Sequence, residues 1–560
     1  MKSRSILLFF LTGLLLISAC QPTLIPTASG VPSPESVRTE EPVIAAEAAE
    51  NGRGWWNDVV FYEIFVRSFM DSNGDGIGDF QGIISKLDYL NDGDPNTTTD
   101  LGIGGIWLMP IMPSPSYHGY DITDYKAVNP QYGTMEDFQQ LLEECHKRGI
   151  RVIIDFVINH TSDKHPWFQA ALQDKDGYKD WYVWREEKPS TMGPWGQPAW
   201  HKVRDDLYYY GIFWSGMPDL NFKTQAVSDA LYDISDFWLD VGVDGFRVDA
   251  ARYLDEEGAV LQDAPGTLLW FQNWRRHIKA RNAEVFSVGE VWTDLKTQSA
   301  YNQPRGLDSL FIFDTAENIL GSVFAPDPSR IIKSYQDTLA AFPDSSFSTF
   351  LTNHDQQRVA SFYGNNVNKE KQAAFIYLTG PGVPFVYYGE EIGMTGNKPD
   401  EFLRTPMQWT KEENAGFTSA EQPWQAINEG YEDNNVHDMM DDPESLLNWY
   451  RQIIQVRNQH PALRTGSYQA FISSCRTLYS TLRVEGEEII LTALAVGTRI
   501  AENCTLTLEG SNLKGSYQVE TLFGKSELTS ITFGEDGSLK DFLLADQLNG
   551  GEALILKLKP

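Results

Sequence analysis

Gly245-Phe246-Arg247-Val248-Asp249-Ala250 is a short apolar run with a carboxylate at its end. Val288-Gly289-Glu290-Val291-Trp292 and Thr352-Asn353-His354-Asp355 repeat the arrangement further along the chain. Each follows an apolar, β-branched run of the kind that makes a buried parallel strand, so each carboxylate falls at a strand's C-terminal end. In a (β/α)8 barrel that end is where functional side chains gather. Outward from these segments, the chain from Val59 alternates short apolar runs with amphipathic helical stretches, the pattern of βα units and a parallel sheet. Strands are expected over residues 59–69, 104–111, 151–158, 243–248, 285–288, 310–313, 348–352 and 384–388, enough to close a barrel. Residues 135–148 illustrate the helices between them: Phe138, Leu141, Leu142 and Cys145 recur at helical spacing, and Gly149 follows as a stop.

Two stretches break the alternation. Residues 161–218 are crowded with Trp, Tyr, Gly and Pro and are too long for a plain loop, which implies a small domain inserted after strand 3. After Pro461, Thr, Ser, Gly and β-branched residues alternate, as in 488–494, 505–508 and 553–558, the texture of antiparallel strands. The expected fold is α/β: a (β/α)8 TIM barrel over 53–160 and 219–465, the insertion at 161–218, and a C-terminal antiparallel β-sandwich domain over 466–560.

At 560 residues the chain exceeds the usual size of one domain. Lys+Arg 45 against Asp+Glu 77 gives a net charge of −32, which repels nucleic acid and anionic membrane surfaces. A neutral partner such as a carbohydrate suits that surface better. At the N-terminus, Lys2 and Arg4 precede an apolar stretch over 6–17, too short to span a bilayer, and then Ile17-Ser18-Ala19-Cys20. This resembles a bacterial lipoprotein signal over 1–19, cleaved before Cys20, whose thiol would carry lipid; an ordinary secretory peptide that contains a cysteine is the alternative. Residues 20–52, rich in Pro, Ala, Ser and Glu, read as a disordered tether. No second hydrophobic span follows, so lipid is the expected membrane attachment of an extracytoplasmic protein on the bacterial membrane or cell surface. Sparse cysteine excludes a disulfide scaffold; Cys145 reads as a buried helical residue, and Cys475 and Cys504 can pair in an oxidising compartment.

Two carboxylates facing one glycosidic bond are the minimum equipment for glycoside hydrolysis, and a third supplies electrostatic help. Arg247 stands two residues before Asp249 on the same strand, so both side chains face one way and the guanidinium can keep Asp249 ionised. Ionised neighbours should raise the pKa of Glu290 and keep it protonated. Asp155-Phe156-Val157-Ile158-Asn159-His160, Gly245 to Ala250, Val288 to Trp292 and Asn353-His354-Asp355 resemble, in order and spacing, the motifs of the α-amylase family, glycoside hydrolase family 13. The resemblance covers about residues 55 to 560. It implies that Asp249 is the nucleophile, Glu290 the general acid/base and Asp355 the transition-state stabiliser. The implied substrate-binding set is Tyr120, His118, His160, Arg247, His354 and Arg404, with Tyr120 as the stacking platform beneath the sugar.

Asp71-Ser72-Asn73-Gly74-Asp75-Gly76-Ile77-Gly78-Asp79 sets side-chain oxygens at positions 1, 3, 5 and 9, a carbonyl at 7 and Gly at 6, as in the first part of an EF-hand loop. Position 12 is Gly82 rather than Glu, so the expectation is a structural Ca²⁺ clip held by Asp71, Asn73, Asp75, the Ile77 carbonyl and Asp79, not a calcium sensor. Met217-Pro218-Asp219-Leu220-Asn221 resembles a pattern intermediate between oligo-1,6-glucosidases and neopullulanases, and Arg404-Thr405-Pro406-Met407-Gln408-Trp409 leans toward the former. Tyr117 stands where the oligo-glucosidases carry the acidic residue that closes an exo pocket, and Ala250 where they tend to carry Val. The resemblance therefore implies an endo-acting retaining hydrolase of α-1,4-glucosidic bonds in starch, glycogen or maltooligosaccharides. An α-glucosidase, a neopullulanase, a 4-α-glucanotransferase and a non-catalytic glycan-binding protein are the alternatives.

Overall fold

Eight short parallel strands form the centre of the molecule: β1 (Phe61–Ile64), β2 (Gly105–Leu108), β3 (Arg151–Phe156), β4 (Gly245–Val248), β5 (Phe286–Gly289), β6 (Ser309–Leu310), β7 (Ser348–Thr349) and β8 (Val383–Tyr387). They neighbour one another in chain order, and β8 returns to β1 with Phe385 opposite Phe61. A parallel bridge from Phe311 to Ser348 joins β6 to β7, so the sheet closes on itself as a (β/α)8 barrel. The computed structural model describes residues 53–256, 260–302, 304 and 306–560; the expected signal peptide over 1–19, Cys20 and the expected tether over 20–52 lie outside the described residues.

Alternation along each strand decides what fills the barrel. Its interior is packed with Phe61, Trp107, Ile153, Phe286, Val288, Phe311, Phe350 and Phe385. Gly105 makes room for this layer, because a Cβ there would come within 2.5 Å of the Phe61 ring. Two residues further on, the same inward positions carry Glu63 above Phe61, Asp155 above Ile153 and Arg247 above Gly245, with Asp155 opposite Arg247 in register. The filling thus changes from apolar to charged toward the C-terminal ends of the strands.

Several expected strands are shorter than their runs, among them 348–352, which is paired as β7 only over Ser348–Thr349, and two of them turn helical. The run over 59–69 leaves the sheet after Ile64, and Val66–Phe69 is a helical turn; the run over 310–313 pairs through Leu310 and a bridge at Phe311, and Phe313 opens the helix Phe313–Phe324. A wholly buried apolar run has no period that separates strand from helical turn. The helix Met135–Lys147 begins with a reciprocal capping box between Thr134 and Asp137 and buries Phe138, Leu141, Leu142 and Cys145.

Between β3 and the helix Gln225–Val241, the strands Trp184–Arg185, Trp200–Arg204 and Leu207–Tyr210 form a small antiparallel sheet. Aromatic contacts hold it, including a parallel stack of Phe168 on Trp184. The C-terminal residues form a six-stranded and a three-stranded antiparallel sheet around a core of their own that contains Leu482, Leu491, Leu506 and Leu556. Cys475 and Cys504 are joined by a disulfide in this part. The buried side chains of Arg457, from the last barrel helix, and Arg483, from the sandwich, grip carbonyls of residues 378–382 from both sides and fasten the sandwich to the barrel.

Candidate active site

Arg247 organises the charged end of the barrel. Its side chain is 1% exposed, lies over the Trp107 ring, and points its fork at three carboxylates. One terminal nitrogen donates to Asp155 at 2.9 Å and to Asp249 at 2.7 Å, and the other donates to Glu290 at 2.5 Å. A single guanidinium therefore fixes two of the three sequence-predicted catalytic carboxylates relative to each other. Asp155 also accepts from the Trp107 indole at 3.2 Å and the Tyr120 hydroxyl at 3.1 Å. Ala250, just past β4, adopts φ +47° and turns the chain sharply behind Asp249.

Asp355 is held separately. Arg404 donates to it at 2.8 Å and to the His354 carbonyl at 3.1 Å, and the His354 ring reaches its other oxygen at 3.2 Å. Tyr120 stacks between His118 and His354, with ring planes 26° and 17° from its own. His160 approaches the Tyr120 carbonyl at 3.1 Å and abuts Phe213.

The three carboxylates titrate differently because their partners differ. Burial, helped by the Asp249 and Asp355 carboxylates, pushes Glu290 up to about 7 against the pull of Arg247. Burial likewise raises Asp249 to about 6, with Arg247 opposing and Asp155 adding to the rise. Burial also acts on Asp355, but His354 and Arg404 outweigh it and hold that carboxyl well below the usual range. For His354 burial favours the neutral ring, yet the Asp355 and Glu63 carboxylates lift it to about 9. His160, without such partners, is lowered by burial to about 4.

A cavity of about 700 Å³ opens over this cluster. Tyr120, His118, His160, Asp249, Glu290, Asp355 and Arg404 all line it, as do Tyr117 and Asp400. Trp195 and Trp214 from the inserted region and Trp292 past β5 are exposed at its rim. Arg247 and His354 lie beneath the lining, in contact with carboxylates that reach it. Sequence reasoning passed over Glu63, Asp155 and Trp107; the signal available was a charge inside a buried apolar run, Phe61-Tyr62-Glu63-Ile64 and Ile153-Ile154-Asp155-Phe156.

The Asp71 to Asp79 loop is separate from the cavity lining. Asp71 accepts from the backbone N–H groups of Asn73, Gly74 and Gly76 and from Thr418. Asp79 accepts from Ser72 and caps the next helix through Gly82. Among the described residues, no cluster of three or more His, Cys, Asp or Glu side chains is grouped around a metal position.

Residues 63–466 match the alpha-amylase catalytic-domain family. The chain belongs to the alpha-amylase family. Similar proteins include Alpha-amylase 3 of Dictyoglomus thermophilum, 38% identical over 447 residues, which covers 78% of this chain and 84% of that one. Oligo-1,6-glucosidase of Bacillus cereus is 32% identical over 580 residues, covering 90% and 99%. The crystal structure of alpha-amylase from H. orenii superposes with a TM-score of 0.76 at 38% identity, over 90% of this chain and 99% of that chain. This alpha-amylase family member is a glycosidase, and the relatives it matches are both alpha-amylases and oligo-1,6-glucosidases.

Proposed function

We propose that this glycosidase cuts α-1,4-glucosidic bonds of starch, glycogen or maltooligosaccharides, within the chain and with retention of configuration. The observation that carries the reading is the shared Arg247 fork, which fixes Asp249 and Glu290 on one side of an open cavity. Retaining hydrolases hold nucleophile and acid about 5–5.5 Å apart, close enough for both to reach one anomeric centre. In the first step a carboxylate oxygen of Asp249 attacks the anomeric carbon while the Glu290 proton passes to the leaving glycosidic oxygen. In the second, water attacks that carbon, its proton goes to the Glu290 carboxylate, and the ester to Asp249 breaks. Asp355, kept ionised by His354 and Arg404, opposes the positive charge that develops on the sugar ring. Tyr120 offers its ring to the apolar face of the sugar, and His118, His160 and Arg404 offer polar contacts.

Endo action draws support from the volume of the cavity, about 700 Å³, and from the exposed indoles that line it, which suit a glucan that extends beyond one sugar. The test is a product time course from maltoheptaose, soluble starch and pullulan with wild type and Asp249→Ala side by side. Early internal cuts with α-configured products, absent in the variant, are expected. Glucose released singly would instead make it an α-glucosidase, panose from pullulan a neopullulanase, and products longer than the substrate a 4-α-glucanotransferase. Turnover that survives in Asp249→Ala would overturn the assigned roles.

Two further readings belong here. Hard oxygen donors on one tight turn suit Ca²⁺, and Asp71, Asn73, Asp75, the Ile77 carbonyl and Asp79 would hold it; bound there, it would stiffen the loop after β1. An extracytoplasmic location draws support from the Cys475–Cys504 disulfide, which suits an oxidising compartment, and a lipid anchor at Cys20 from the signal-like sequence over 1–19. Among the described residues no helix is long and apolar enough to cross a membrane.

A further inference from the structure

Glu63 stands in the middle of β1, 2% exposed, opposite Trp107 on β2 and Tyr387 on β8. A buried carboxylate in such a wall is costly unless a positive partner meets it. The partner is His354, whose Nδ1 lies 2.5 Å from a Glu63 oxygen. The opposite ring nitrogen, Nε2, faces the Tyr120 hydroxyl at 2.7 Å and Asp355 at 3.2 Å. The Tyr120 hydroxyl also lies 3.1 Å from Asp155, and Asp355, as a carboxylate, can only accept at Nε2. Both ring nitrogens thus face acceptors, and a neutral imidazole has an N–H for only one of them.

We propose that Glu63 is a positioning residue of the active site, pairing with His354 as an imidazolium so that His354 can hold Asp355 and Tyr120 from behind. The proposal rests on the reading of Asp249, Glu290 and Asp355 given above. Charge balance explains the need. Around His354 stand Glu63 from β1, Asp155 from β3, Asp249 and Arg247 from β4, Glu290 from β5, Asp355 beside it, and Arg404 beyond β8. Without a charge on His354, Arg247 and Arg404 would face Glu63, Asp155, Asp249, Asp355 and, 3.6 Å from Arg404, Asp400, besides the acid Glu290. The imidazolium is the third positive charge, and it lets Asp249 and Asp355 stay ionised together. Its titration near 9 lies above that of Glu290 near 7, so the charge persists wherever the acid is still protonated.

Glu63→Gln keeps the shape and an acceptor oxygen while removing the charge. In [13Cε1]-histidine NMR, with the His354 signal assigned by its loss in His354→Gln, His354 is expected to titrate above pH 8 in wild type and below 7 in Glu63→Gln. On maltoheptaose, kcat/KM of Glu63→Gln should fall tenfold or more at its optimum. Its alkaline limb should steepen from one proton to two and move down by half a pH unit or more, and Glu63→Asp should recover part of the loss. An unchanged His354 titration in Glu63→Gln overturns the proposal, as does lost activity with an unmoved alkaline limb, which marks a purely structural role. If Glu63→Gln fails to fold, wild type decides: His354 neutral at pH 7 overturns the pairing. A wild type inactive on every α-glucan would overturn the proposed function, and the NMR titration would still decide the pairing.

Discussion

Glu290 and Asp249 share one guanidinium and yet differ in what surrounds them. In the proposed mechanism Asp249 must be ionised and Glu290 protonated in the free enzyme. Asp249, raised to about 6, gains its proton as pH falls through that value, and activity is lost on the acid side. Glu290, raised to about 7, loses its proton as pH rises, and activity is lost on the alkaline side. A narrow bell of kcat/KM centred between pH 6 and 7 is the expected outcome, with limbs that belong to the coupled pair rather than to either residue. A flat profile from pH 5 to 9 on maltoheptaose would refute this assignment. Glu290→Gln should lower kcat by about 10²–10⁴ and abolish the alkaline limb. Ala250 belongs to the same scale: at φ +47° a β-branched side chain would be strained, and the short Ala side chain suits the turn.

At the scale of elements, the loop from Asp71 to Asp79 joins the helical turn Val66–Phe69 to the next helix and lies against Phe417 and Thr418. Gly74 and Gly76 both take positive φ, which bends the chain so that Asp71 receives backbone N–H groups from within the turn. If Ca²⁺ binds these oxygens, it binds the folded state alone and stabilises it by mass action. Exhaustive EDTA should then lower Tm by on the order of 5 °C, with Ca²⁺ restoring it. An unchanged melting curve would mean that the hydrogen bonds within the loop suffice. The elements around the barrel show the same economy: a two-residue strand such as β6 or β7 suffices, because neighbours on both sides complete its hydrogen bonding.

At the scale of the whole molecule, closure of the eight strands gives the barrel two unlike faces. Carboxylates and cavity occupy the C-terminal face. Trp55, at the start of the described chain, packs at the opposite end, where its indole donates to the Glu284 carbonyl just before β5. Anchoring is a property of the full chain and is tested on it: Cys20→Ala should move the protein from the membrane pellet to the soluble fraction with turnover intact. A variant that stays in the pellet would argue against lipid at Cys20.

Local pattern by itself determined much of this protein. Apolar runs bounded by turns located all eight strands, since burial on both faces demands continuous apolar sequence, and the carboxylate after a strand marked Asp249 and Glu290 as belonging to one mouth. Helical spacing placed Cys145 in a buried face, as found. Where a strand stops was not legible, because Val66 to Phe69 are all buried in the helical turn, as they would be in a strand, and leave no period to tell the two apart. Nor could local pattern pair Glu63 with His354, 291 residues away, or bring Asp155 and Glu290 to the same arginine as Asp249. Only barrel closure sets β1, β3, β4 and β5 side by side around one interior. There burial makes each charge depend on its partners, and those partners are chosen by strand register rather than by neighbours in sequence.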